Sequence, residues 1–99
     1  MAAVRIQLPD QLRRLARLER EVTVDVTEGA TLRELLETLE RRYPALRGTI
    51  RDHDGKRRPK VRLYACGEDI SHDPLDTPLP TAVIGGEEPL IVLGAISGG

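Results

Sequence analysis

Apolar and polar residues alternate near the start of the chain, with Val4, Ile6 and Leu8 set against Ala3, Arg5 and Gln7. A period of two is that of a strand with one buried face. Pro9 ends it, because proline cannot donate to a sheet ladder. From Asp10 to Arg20 the pattern changes. Leu12, Leu15, Ala16 and Leu18 fall at roughly helical spacing, which predicts a helical turn or loop with Asp10 as its cap. Val22, Val24 and Val26 then alternate with Thr23, Asp25 and Thr27, a second strand favoured by its β-branched residues. These two strands are expected to pair as an antiparallel hairpin with a long connection.

Glu28-Gly29-Ala30 turns the chain into a helix. Thr31 and Glu34 form a capping box, which satisfies free N–H groups at a helix start. Leu32, Leu35, Leu36 and Leu39 recur at i, i+3, i+4 and i+7, a one-sided apolar stripe that Tyr43 extends. The stripe reads as core. Arg33/Glu37 and Glu37/Arg41 are spaced as i,i+4 pairs on the polar side, and Pro44 stops the helix. Ala45 to Lys60 is polar. Within it, Thr49-Ile50-Arg51 and Asp54-Gly55 predict a minor hairpin or an extended excursion. Val61, Leu63 and Ala65 make a third strand. Cys66-Gly67-Glu68-Asp69 reads as a tight turn, with Ile70 opening a short return strand. His72 to Ala82 carries Pro74, Pro78 and Pro80 and is expected to be mostly irregular. Gly85-Gly86-Glu87-Glu88 is turn chemistry. Leu90 to Leu93 is a continuous apolar run, which predicts a central strand buried on both faces. One face would lie under the leucine helix. The other would be covered by loops or would form a hydrophobic docking surface.

Composition narrows the function classes. Fifteen basic residues stand against sixteen acidic ones. A general nucleic-acid binder would need a strong positive excess. Tyr43 and Tyr64 are the only aromatics, so there are too few faces for stacking bases. No apolar run approaches the ~20 residues of a membrane span. The chain is therefore expected to bind neither nucleic acid nor membrane. A single cysteine and the absence of a secretory leader place it in the cytoplasm. Cys66 is better read as a small apolar filler than as a nucleophile, because no histidine stands at a partner spacing. Asp52-His53-Asp54 and His72-Asp73 contain metal-ligand types without a zinc-like spacing. Arg51, Lys56, Arg57, Arg58, Lys60 and Arg62 form a basic cluster. It reads as a solvated hairpin, with a docking patch for an acidic surface as the alternative.

The remaining candidate chemistry is at the end. After the apolar run come Ala95-Ile96-Ser97-Gly98-Gly99. Glycine lacks a Cβ and passes through narrow channels. Five extended residues reach about 17 Å, at ~3.3–3.6 Å each. We read residues 1–94 as one folded domain and residues 95–99 as a flexible tail. Ala95, Ile96, Ser97 and Gly98 would enter a partner's active site, and Gly99 would present a bare carboxylate.

The order of these segments is α+β: strand, strand, helix, strand, short strand, strand. With Glu28-Gly29-Ala30-Thr31-Leu32, Arg42-Tyr43-Pro44, Ala65-Cys66-Gly67-Glu68-Asp69-Ile70 and Leu93-Gly94-Ala95-Ile96-Ser97-Gly98-Gly99, the chain resembles the MoaD/ThiS family of sulfur carriers over nearly its whole length. Cys66 stands where that family commonly has asparagine, and the proline the family often carries near Gly94 is missing. The resemblance implies a ubiquitin-like β-grasp, a mixed sheet of four to five strands packed on one main helix. It also implies a carrier that catalyses nothing itself and binds no cofactor. A ubiquitin-activating-type adenylyltransferase would use ATP to adenylate Gly99. Sulfur would then replace AMP to give a thiocarboxylate. The implied sulfur acceptor is a cysteine-synthase-like enzyme, as for CysO-type carriers, or the large subunit of molybdopterin synthase. A metalloprotease is a further candidate partner. The long excursion from Ala45 to Lys60 sets the chain apart from the shorter thiamine-type carriers, and the region from Asp54 to Ile70 resembles cysteine-type or molybdopterin-type carriers, of which the cysteine-type is favoured. The alternatives are a molybdopterin synthase small subunit and a ubiquitin-like modifier that forms isopeptide bonds through Gly99.

Overall fold

The computed structural model describes residues 1–94. In chain order the elements are β1 (Ala2–Gln7), α1 (Asp10–Ala16), β2 (Glu21–Val26), α2 (Leu32–Arg42), a 3₁₀ turn (Pro44–Leu46), β3 (Val61–Ala65), β4 (Glu68–Asp69), α3 (Thr81–Ile84) and β5 (Leu90–Gly94). The strands make one mixed sheet in the order β2-β1-β5-β3-β4. β1 and β2 pair antiparallel from Ala2↔Val26 to Gln7↔Glu21. β5 lies between β1, to which it is parallel, and β3, to which it is antiparallel.

The alternation seen in the sequence decides which sheet face is dry. Val4, Ile6, Val22, Val24, Val26, Val61, Leu63, Leu90 and Val92 are all buried. Leu32, Leu35, Leu36 and Leu39 of α2 join them in the same core. The capping box at Thr31 and Glu34 is present in both directions, so two N–H groups at the helix start have acceptors. Leu46 and Ile50 are fully buried beyond the helix end, so the polar excursion is anchored by its own apolar residues.

Several expectations need correction. Asp10 is the first residue of α1 rather than its cap. Pro9 holds the cap position, and its carbonyl accepts the N–H groups of Leu12 and Arg13. Asp10 instead accepts a hydrogen bond from Arg13 Nε at 3.1 Å, at the helix end where negative charge is favourable. α1 is a full seven-residue helix, closed by Arg17 at φ 56°. The return strand starts at Glu68, two residues before Ile70. Cys66 and Gly67 both have positive φ, 54° and 77°, so they alone make the turn, as in a two-residue type I′ hairpin. The 72–82 segment is irregular until Thr81, where α3 begins. Arg33 does not pair along the helix with Glu37. Its guanidinium reaches Asp76 at 2.9 Å, tying α2 to the loop before α3.

The hairpin expected in the basic cluster forms, with Lys56 and Lys60 exposed, but its arginines are committed to the domain. Its hairpin exists as one bridge, Arg51↔Arg57, closed by the Asp54-Gly55 turn. The Asp52 carboxylate accepts the N–H groups of Asp54 and Lys56, at 2.9 and 3.0 Å. These bonds hold its carboxyl below the usual range, with the Lys56 amide first among the causes, and occupy it in a turn rather than at a metal. Arg57 donates to the carbonyls of Ser71, Arg58 and Val61. Arg58 donates to the Gly48 carbonyl. Arg51 makes a two-pronged ion pair with Glu40 of α2, both bonds 2.9 Å. The guanidiniums stitch the excursion to the domain.

The Arg51–Glu40 side chains are only 10% and 14% exposed. Removing one partner leaves the other charge poorly hydrated, which is costly, whereas replacing both with apolar groups is often tolerated. Arg51→Met or Glu40→Leu alone should lower the unfolding free energy by roughly 2–4 kcal/mol. The double variant should recover at least half of the loss in urea melts. Losses that simply add in the double variant would show that the pair is not their source.

Candidate functional site

The stretch proposed to carry the chemistry, Ala95 to Gly99, lies outside the described residues. What the structure places is its root and the surface around it. β5 is the innermost strand, and its pairing with β3 runs to the last described residue: Tyr64↔Ile91, Leu63↔Val92, Arg62↔Leu93 and Val61↔Gly94. On the other side β1 pairs only at Ile6↔Leu90 and Gln7↔Ile91. Pro9 then turns the chain into α1. The final residues of β5 are therefore held by β3 alone.

Gly94 fits that position for a local reason. Its φ is +136°, a region that side-chain-bearing residues rarely adopt. A Cβ there would fall 2.3 Å from the Lys60 carbonyl oxygen and 3.0 Å from the Val61 Cα. Both are backbone atoms and cannot rotate away. β5 reaches its last described residue at a position that only glycine suits.

β5 is central, as expected, but not buried on both faces: of the two expectations for its second face, loops or a hydrophobic docking surface, the exposed apolar surface is the one found. Leu90 and Val92 are buried, Ile91 is partly exposed and Leu93 is 45% exposed. α2 covers one face, and among the described residues no helix covers the other beside Leu93. This open face collects Tyr64, Ile91 and Leu93 at the centre, with Arg5, Gln7 and Arg62 beside them by strand register. An apolar centre with a cationic and polar rim has the composition of a protein-docking surface. The sequence signal was the one-residue phase of Tyr64, Ile91 and Leu93 against the buried set. The unbroken apolar run at Leu90–Leu93 hid it.

The rim is held by a charged network. Arg62 forms an ion pair with Asp69 across the β3–β4 hairpin. Asp69 also accepts the Ser71 N–H at 2.8 Å. Hydrogen bonds from Ser71, then the Arg62 guanidinium, hold the Asp69 carboxyl well below the ordinary carboxylate range. Arg5 donates to the Glu87 carbonyl and lies 3.8 Å from a Glu21 carboxylate oxygen.

The other sequence candidates do not gather. Cys66 is exposed at the β3–β4 turn. Gly94 pairs with Val61, five positions back along β3, so the thiol and the tail root lie at opposite ends of the strand, ~17 Å apart at ~3.4 Å per residue. Among the described residues, no three His, Cys, Asp or Glu side chains are placed to hold a metal ion, and no helix is long and apolar enough to cross a membrane. What the described part can do chemically is present a chain end from a rigid strand beside an apolar patch.

Comparison with known proteins agrees with this geometry. The model of the ThiS family matches residues 6–82, and the chain belongs to that family of small ubiquitin-like carrier and modifier proteins. No curated protein sequence gives a significant match. Among solved structures the chain is similar to SAMP1 from Haloferax volcanii, at 26% identity and a TM-score of 0.76, covering 98% of this chain and 99% of that one. It is similar to a chain of the Amycolatopsis orientalis BexX/CysO complex, at 23% identity and a TM-score of 0.71, covering 98% and 100%. It also resembles the putative molybdopterin converting factor subunit 1 of Pyrococcus furiosus, at 21% identity and a TM-score of 0.63, covering 95% and 98%. The fold is the ubiquitin-like β-grasp, with five strands at the upper end of the expected number.

Two stability measurements check the site geometry. Gly94→Ala should cost more than about 2 kcal/mol, because a strained φ is worth about 1–3 kcal/mol and the backbone overlap adds to it. Gly29→Ala, with open space around its Cβ, should be close to neutral in the same denaturant series. The second is acid titration. A carboxyl with a lowered folded pKa contributes stability above its unfolded pKa, near 4, and loses it as pH falls towards the folded value. Asp69→Asn should therefore flatten the fall in melting temperature below about pH 4. A curve superposable on the wild type there would remove Asp69 from the network.

Proposed function

We propose that this ThiS-family chain is a sulfur carrier whose reactive group is the Gly99 carboxyl. The supporting observation is the route of β5. A central strand ends at a glycine that only glycine suits, beside an exposed apolar patch, and the sequence then runs Ala95-Ile96-Ser97-Gly98-Gly99. The patch would dock the partner, and the tail would carry the carboxylate into its active site.

The chemistry follows from what a carboxylate lacks. It is a poor electrophile with no leaving group. Attack of the Gly99 carboxylate on the α-phosphorus of ATP, within an adenylyltransferase of the ubiquitin-activating type, gives an acyl-adenylate and releases pyrophosphate. Hydrosulfide from a sulfide donor then adds at the carbonyl carbon, expels AMP and loses its proton. The product is a thiocarboxylate, whose sulfur is a nucleophile towards a substrate held by an acceptor enzyme. The carrier needs no catalytic side chain for this. Gly98 and Ser97 supply the slim approach, with Ile96 and Ala95 spanning back to Gly94.

We favour an acceptor of the cysteine-synthase type, on the length of the 45–60 excursion and the fold shared with a chain of the BexX/CysO complex. A molybdopterin synthase large subunit is the alternative. A second reading, a modifier joined to lysines through Gly99, draws on the 26% identity to SAMP1, a small archaeal modifier protein. A metalloprotease would then serve to trim or release the chain.

Incubation with ATP, a sulfide source and an adenylyltransferase should change the intact mass by one sulfur-for-oxygen exchange. Conjugates on lysines of other proteins would favour the modifier. No change with a demonstrably active enzyme would sink both. Deleting Gly99 should abolish the exchange while melting stays as in the wild type. Leu93→Asp should lower kcat/KM for adenylation at least about tenfold with the fold intact, since anchors at the centre of an interface carry about 2 kcal/mol or more.

A further inference from the structure

The two edges of the sheet are treated differently. At the β3 edge, the Leu63 N–H donates to Ser71 Oγ at 2.8 Å, and its carbonyl accepts the Ile70 N–H. β4 covers the rest with two residues. That edge is short and closed. At the other edge, β2 runs for six residues in continuous register with β1, with no bulge, proline or lysine to blunt it. Among the described residues, no backbone group outside β1 bonds to Glu21–Val26.

Beside this edge runs a groove between β2 and α2, with a volume of about 420 Å³. Its lining includes Asp25 and Val26 of the strand and Glu34, Glu37, Thr38 and Arg41 of the helix. Asp25, Glu34 and Glu37 are set against Arg41 and the Met1 ammonium, and Glu21, which also lies 3.8 Å from Arg5, shares the exposed face of the strand with Asp25. A second copy of this chain is a poor occupant. Antiparallel β2–β2 pairing about Thr23 would set Glu21 of each copy opposite Asp25 of the other, and like charges directly opposite destabilise a sheet.

We infer that the β2 edge and its acidic groove form a second docking site, which takes an extended basic segment of a partner protein as a sixth strand. Backbone bonds to β2 would supply the affinity. Lysine or arginine side chains would meet Glu34 and Glu37 on the helix side, or Glu21 and Asp25 on the open side. Charge complementarity selects the basic partner, and the same charges reject self-pairing. The site is separate from the Tyr64–Ile91–Leu93 patch, since β1 lies between β2 and β5. It stands whether or not Gly99 carries sulfur.

The test uses the full chain labelled with ¹⁵N and a capped decapeptide alternating lysine and valine. Amide shifts should change at alternate residues of Glu21–Val26 and along Glu34, Glu37 and Thr38. An Asp25→Lys/Glu37→Lys variant, both sites exposed, should bind at least about tenfold more weakly, and its own spectrum reports that it is folded. The same decapeptide with glutamate in place of lysine should leave β2 unperturbed. The inference is overturned by shifts centred on Tyr64, Ile91 and Leu93, by equal binding of the two peptides, by dimerisation through β2, or by no change at β2 with millimolar peptide.

Discussion

The placement of β5 is the constraint on which the rest depends. It is the last strand in the chain and the middle one in the sheet, parallel to β1 and antiparallel to β3. Without it, the β1–β2 hairpin and the β3–β4 hairpin are two separate ribbons. Each would have an unpaired edge and would bury too little apolar surface to stand alone. Leu90 and Val92 close the core that α2 roofs, so the leucine stripe has a continuous floor only once β5 is in. Closing the sheet also requires pairing residues near 6 and 90, a long loop whose entropy must be met before the contact stabilises anything. Gly94 is thus anchored on the innermost strand of the sheet.

A core without Phe or Trp must be filled by aliphatic residues, and the 45–60 excursion offers only Leu46 and Ile50 as fully buried anchors. Arginine makes up the difference. A planar guanidinium with five donors can satisfy several carbonyls at once, and Arg57 bridges Ser71, Arg58 and Val61 in this way. Arg51 does the same against the Glu40 carboxylate. Most of the basic residues are arginine, and in this segment that preference has a structural meaning. A lysine has no rigid fork with which to hold several fixed acceptors.

Most of the architecture was legible in the chain. The strands around Val4, Val24 and Leu63, the Thr31 capping box and the helix stop at Pro44 each rest on a local rule, and each appears where that rule puts it. The misreadings came where tertiary context outweighs local pattern. Asp10 has the chemistry of a cap, but Pro9 already occupies that position with its carbonyl committed. Cys66 was read into a four-residue turn because nothing in a cysteine signals a left-handed conformation, which asparagine or glycine would have done. Leu90–Leu93 reads as doubly buried because an apolar run does not say which neighbour is absent. The tail could be nominated from composition and resemblance, whereas the reason for Gly94 could not, since it depends on where the Lys60 carbonyl lies.

On the proposed function, the same geometry explains how a sulfur carrier would do without an active site. Recognition and reactivity have to be separated, because a reactive carboxylate buried in its own domain would be unreachable by the enzymes that activate it. Here the dry face belongs to folding, and the open face to docking. β5 contributes to both, since Val92 points into the core and Leu93, one residue on, points out. A partner that grips Leu93 stands one residue from Gly94, the last residue of β5. Misplacing the partner by one strand would move it about 4.8 Å sideways, a substantial part of the ~17 Å that five residues can span. On the proposed function the patch would therefore do more than add affinity. By sitting on the strand that leads to residues 95–99, it would set the distance over which they must act.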